Sequence, residues 1–137
     1  MKIKQTFILL LLLCATAPLS SFKNKAGDKG VYGFVYVSGT FTESHHTLIS
    51  QIFYEPPYPE CKDNSFWPHA QLAFAKYLNA YNDDEKFNRG DVQSHHSNYS
   101  RSYLTQKEAQ DAMEDTIIKE KGDGYEIKMI SYTYSCQ

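Results

Sequence analysis

The chain has 137 residues, with 14 basic against 16 acidic side chains and a net charge of −2. That length suits one ordinary domain and not two. No lysine or arginine cluster marks a phosphate-binding surface, which excludes nucleic acid as a partner class and leaves no polybasic membrane patch.

The chain opens on Lys2 and Lys4, an apolar run from Phe7 to Ala15, and small residues at Ser20 and Ser21. This is the layout of a secretory signal peptide. The run is less than half the ~20 residues a spanning helix needs, so no membrane span is expected once it is removed. Cys14 follows Leu12 and Leu13 rather than small residues, which argues against a lipid anchor. The expectation is a signal peptide over 1–21 and a single secreted or periplasmic α+β domain over 22–137.

Residues 23–29 are polar and read as a leader. From Gly30 to Phe41, Tyr32, Phe34 and Tyr36 alternate with Val31, Val35 and Val37, a strand that is apolar on both faces and therefore not an edge. Thr40 to His46 is a polar turn. Thr47 to Tyr54 predicts the hairpin partner, stopped by Pro56, Pro57 and Pro59, which supply no ladder donors.

A helix follows, with Asn64 or Ser65 as cap and Pro68 in its first turn. Trp67, Ala70, Phe74, Tyr77, Leu78 and Tyr81 form its apolar stripe. Residues 82–100 lack periodicity and read as a long polar loop, a feature usually tied to function or mobility. A short strand is expected over Tyr99 to Leu104.

Thr105-Gln106-Lys107-Glu108 is a capping box. It opens a second helix whose buried stripe is Ala109, Ala112, Met113, Thr116 and Ile117. Lys119 and Lys121 favour its negative end, and Gly122 reads as the left-handed stop. The last strand runs from Tyr125 to Ser135 with a phase change that predicts a bulge near Met129. The order β-β-α-β-α-β predicts a small α+β domain: a three- to four-stranded mixed or antiparallel sheet, both helices on one face, and a parallel closing crossover.

Without Cys14, the remaining cysteines are Cys61 and Cys136. An even pair in an oxidising compartment predicts a disulfide. A bridge from mid-chain to the penultimate residue closes a long loop, worth roughly 4–5 kcal/mol in the chain-entropy treatment. The pair lacks the Cys-x-x-Cys spacing of a redox site.

Chemistry-bearing motifs are sparse. His45-His46 and His95-His96 fall in two predicted loops, and four converging imidazoles could hold zinc or copper. No calcium loop or Gly-x-Ser-x-Gly elbow is present, no catalytic residue stands out, and no cofactor motif occurs. Arg89-Gly90-Asp91 is too short to carry an adhesive function, and Asn98-Tyr99-Ser100 is a glycan acceptor only in a eukaryotic secretory pathway. Two function classes follow. The first is a non-catalytic module that binds a protein or small-molecule ligand through its surface. The second is a histidine-based metal-binding protein or small metal-dependent enzyme.

Overall fold

The computed structural model of the chain describes residues 29–99 and 101–137. The signal segment expected over 1–21 lies outside the described residues, as does Ser100 of the glycan-acceptor triplet. The strands are β1 (Val31–Val37), β2 (His46–Ser50), β3 (Phe53–Glu55), β4 (Gln93–His95), β5 (Ser97–Asn98), β6 (Arg101–Ser102) and β7 (Glu126–Ile130). The helices are α1 (Phe66–Tyr81) and α2 (Gln106–Gly122). Five strands form one mixed sheet around β1, which pairs antiparallel with β2, β3 and β4, while β7 joins β2 in parallel. The small α+β domain expected from the sequence is the observed class.

β2 and β3 are two halves of one bent strand. Val37 faces Leu48 and Tyr36 faces Ile49, but Gly33 faces Phe53, so the register slips by one residue across Gln51 and Ile52. At this bulge the Ser50 hydroxyl accepts from the Val35 amide at 3.0 Å, replacing a ladder carbonyl. The bulge predicted near Met129 is thus on the neighbouring strand. β7 itself stays regular to Ile130 and kinks just after it, where the Tyr132 amide turns back to the Ile130 carbonyl at 2.8 Å.

The helices pack on opposite faces of the sheet, not on one. Val35, Val37, Leu48 and Phe53 meet Phe66, Trp67, Ala70 and Phe74 of α1. Phe34, Tyr36 and Ile49 meet Ala109, Ala112 and Met113 of α2. The cause is legible in β1, whose two apolar faces each need a cover.

Two further expectations change. The sheet strand in the polar stretch is β4, whereas β5 and β6 form a separate hairpin. The closing crossover does return a parallel strand, but beside β2 rather than beside the strand before α2. Helix ends also differ in detail. Ser65 occupies the α1 cap position without a side-chain bond, and Asp63 Oδ1 accepts from the Ser65 amide at 2.8 Å instead. The left-handed residue after α2 is Gly124, φ 92°, and not Gly122.

The capping box of α2 is present as read. Thr105 Oγ1 accepts from the Glu108 amide at 3.2 Å, and Glu108 Oε2 accepts from the Thr105 and Leu104 amides at 3.1 and 2.8 Å. Thr105→Ala should therefore lower the unfolding free energy by about 1 kcal/mol in urea titration, with no change in the native spectrum.

A polar groove beside α2 as candidate functional site

Successive residues of an extended chain point to opposite faces, so His95 at the end of β4 turns toward α2 and His96, the next residue, toward α1. His95 lies opposite Phe34 in the ladder and stacks on its ring at 5.4 Å. On its other side is Tyr103, whose ring stacks at 5.8 Å and whose hydroxyl is 3.0 Å from His95 Nδ1. Burial holds the His95 imidazole below the usual histidine range, partly countered by the Asp115 carboxylate. One strand position further in, the Tyr36 hydroxyl donates to Gln93 Oε1 at 2.6 Å. Burial pushes the Tyr36 phenol up, and Glu120 adds to the effect.

These side chains form the floor of an open groove of about 850 Å³. One wall is the α2 face carrying Glu108, Ala112, Asp115 and Lys119, residues spaced three or four apart and hence on one helix side. The other wall is the β5–β6 hairpin with Asn98, Tyr99 and Arg101. Arg101 Nη2 meets Glu108 Oε1 at 2.7 Å and ties the hairpin to the helix.

Most charges around the groove already have partners. Glu108 serves Arg101 and the α2 first turn, Asp111 holds Lys107 at 2.8 Å, and Lys119 holds Asp123 at 3.3 Å. Glu120, 3 % exposed, accepts from the hydroxyls of Thr47 and Ser38 and from the Gly39 amide. Asp115 is different: among the described residues it makes no hydrogen bond or ion pair. The groove thus offers an open carboxylate next to aromatic hydroxyls, an imidazole and the Gln93 amide. The hydrogen-bond partner of His95 within it is a tyrosine, not a serine or cysteine nucleophile.

The four histidines considered as metal ligands are not brought together. His46 begins β2, with Nδ1 donating to the Ser44 carbonyl at 2.7 Å and Nε2 3.1 Å from Glu126 Oε2. His45, at φ 56°, stacks on Tyr125. Along β1, Leu48 stands opposite Val37 and His95 opposite Phe34, which sets His46 about 17 Å from His95 along the strand direction. His95 and His96 then diverge across the sheet. Among the described residues no three His, Cys, Asp or Glu side chains are grouped to hold an ion. Cys61 and Cys136 are bonded, with their Cα atoms 5.7 Å apart.

His96 stacks on Trp67 at 4.5 Å, and its Nδ1 is buried without a partner. Trp67 Nε1 donates to Glu55 Oε2 at 2.7 Å. Burial lowers the affinity of His96 for a proton, and the neighbouring His95 lowers it further. Both imidazoles are therefore neutral-preferring in the folded state. Their contribution is complete above the unfolded value near about 6.5 and is lost as pH falls below it toward the folded values. Resistance to urea unfolding should accordingly fall from pH 7.5 to pH 5, and His96→Phe, which keeps the stack, should flatten that slope. An unchanged slope would show that His96 charges as easily folded as unfolded.

The other motifs resolve into local structure. Arg89–Asp91 is a 3-10 turn in which Asp91 Oδ2 accepts from the Asn88 amide at 2.7 Å, so its carboxylate is engaged. His69 Nδ1 lies 2.7 Å from Asp63 Oδ2. A second groove, about 500 Å³, runs between β7 and the end of α1 and is walled by Tyr77, Leu78, Tyr81 and Met129. Among the described residues no helix is long and apolar enough to cross a membrane.

Sequence reasoning missed Tyr36, Gln93, Tyr103 and Asp115 as neighbours. The available signal was the spacing of Glu108, Ala112, Asp115 and Lys119, a small residue flanked by charges on one helix side. No family model, curated protein or solved structure matches the chain.

Proposed function

We propose that the chain is a small extracytoplasmic binding module whose ligand-contacting surface is the polar groove beside α2. The supporting observation is that groove itself, at about 850 Å³ within the size range of small-ligand and short-peptide sites. Its chemistry favours a ligand carrying an ammonium or guanidinium group. Asp115 supplies the open negative charge, and the Tyr36, Tyr103 and Gln93 polar groups supply orientation. The disulfide is compatible with an extracellular or periplasmic location. Binding without catalysis fits a floor where the imidazole is held by a phenol rather than poised on a nucleophile.

The test is calorimetric titration with lysine- and arginine-containing tripeptides, using glutamate-containing tripeptides as the opposite arm. Binding by the cationic set, weakened about tenfold or more in Asp115→Asn, is the expected result. Binding that Asp115→Asn leaves unchanged, or that the acidic set shares, would contradict it.

A further inference from the structure

The two ends of the sheet differ. β7 is the outermost strand beyond β2, and its outer edge is unpaired among the described residues. The Glu126 amide donates to the His45 carbonyl, so Glu126 and Lys128 turn their backbone groups inward to β2. Ile127 and Met129 then turn theirs outward, where another strand could meet them. Glu126, Lys128 and Met129 are exposed, Met129 at 52 %.

Charged residues on an edge usually deter pairing. Their spacing here makes that depend on register. In a twofold antiparallel pairing of β7 with a second copy, outward residues must face outward residues. An axis through Glu126 sets Glu126 against its own copy, and an axis through Lys128 does the same to Lys128. An axis through Met129 places Lys128 against Ile130. An axis through Ile127 sets Glu126 opposite Lys128 twice, Ile127 against its own copy, and Met129 against Tyr125. That register alone gives two opposite-charge pairs, one central apolar pair and a thioether–aromatic contact on each side. A slip by one frame either way brings like charges together, which disfavours other alignments. The Glu126 side chain is 82 % exposed, so its contact with His46 does not shield it from a second partner.

We propose that β7 is a self-recognition edge through which two copies of this chain pair antiparallel, centred on Ile127, with Glu126 and Lys128 setting the register. The test is sedimentation velocity of the purified protein over a wide concentration series, with Glu126→Lys, Lys128→Glu and the double swap alongside. The parent should show a reversible monomer–dimer equilibrium. Each single swap sets two like-charge pairs in the register and should weaken association about tenfold or more, and the double swap should restore it. Because both positions are exposed, circular dichroism of all variants should match the parent. A parent that stays monomeric at every concentration would overturn the proposal. So would single swaps without effect, or a double swap that fails to rescue.

Discussion

Replacing Cys61 and Cys136 together by Ser should lower the unfolding free energy by about 2–5 kcal/mol. The bond joins the segment ahead of α1 to the last residues of the chain. Between β7 and Cys136 the chain runs over the α1 face, where Tyr132 packs on Phe74 at 4.9 Å and on Tyr77 at 5.3 Å, and Tyr134 packs on Phe66 at 5.1 Å. The Tyr132 hydroxyl donates to the Ala70 carbonyl at 3.3 Å, and burial pushes its phenol up to about 12. Among the described residues no regular ladder holds this tail beyond β7; the Gln51 amide donates to the Tyr132 carbonyl at 3.2 Å, and the aromatic contacts and the disulfide complete its anchoring. Cys61 is itself 7 % exposed within the α1-side core, and a serine there adds a buried hydroxyl to the loss of the cross-link. Urea midpoints of parent and double variant measure the effect. Thiol titration of denatured, unreduced protein lacking residues 1–21, and with them Cys14, should find no free thiol. Two free thiols, or equal midpoints, would contradict this assignment.

Glu120→Ala should cost about 3 kcal/mol, although the residue sits near the end of a helix where charged side chains are usually solvated. Its carboxylate is buried between α2 and the β1–β2 connection and accepts three hydrogen bonds there. Truncation would leave the buried Thr47 and Ser38 hydroxyls and the Gly39 amide competing for fewer acceptors. Gly39 is required at this point, because a Cβ would collide with the Tyr125 ring. Burial pushes the Glu120 carboxyl up, but bonds from Thr47, Ser38 and the Gly39 amide, with Lys119 beside it, hold it below the usual carboxylate range. The folded value lies below the unfolded one. This stabilisation is therefore complete above the ordinary carboxylate range near about 4.3 and is lost as pH falls through the folded value. Glu120→Ala should flatten the acid limb of the stability curve as well as lower its plateau. Glu120→Gln keeps one acceptor oxygen and should lose roughly half as much at neutral pH. A Glu120→Ala variant as stable as the parent would show that the network is replaceable by water.

The elements with strong periodicity were legible. The α2 stripe, the α1 stripe as far as Leu78, the Thr105–Glu108 capping box and the two-faced alternation of β1 all appear where the residues placed them, whereas Tyr81, read as the end of the α1 stripe, is 79 % exposed. The alternation of β1 already required a helix on each face, and grouping both helices on one face ignored it. β4 was hidden because Gln93, Ser94 and His95 carry no apolar alternation; tertiary pairing with β1 decides that strand. The cysteine pair was readable from count alone. The groove was not, because its floor comes from β1, β4 and Tyr103 in the link between β6 and α2, which meet only through the sheet. The two histidine pairs illustrate the same gap. Sequence placed both in loops, whereas the ladder separates them and sends His95 and His96 through opposite faces of the sheet.

The most direct measurement is an amide-resolved NMR titration of the isotope-labelled protein with the lysine- and arginine-containing tripeptides. Saturable shifts centred on Gln93, His95, Tyr103 and Asp115, absent with glutamate-containing tripeptides and lost in Asp115→Asn, are the expected outcome. Shifts that instead centre on Tyr77, Tyr81 and Met129, or the absence of saturable shifts with any cationic peptide, would contradict the groove beside α2 as the binding surface.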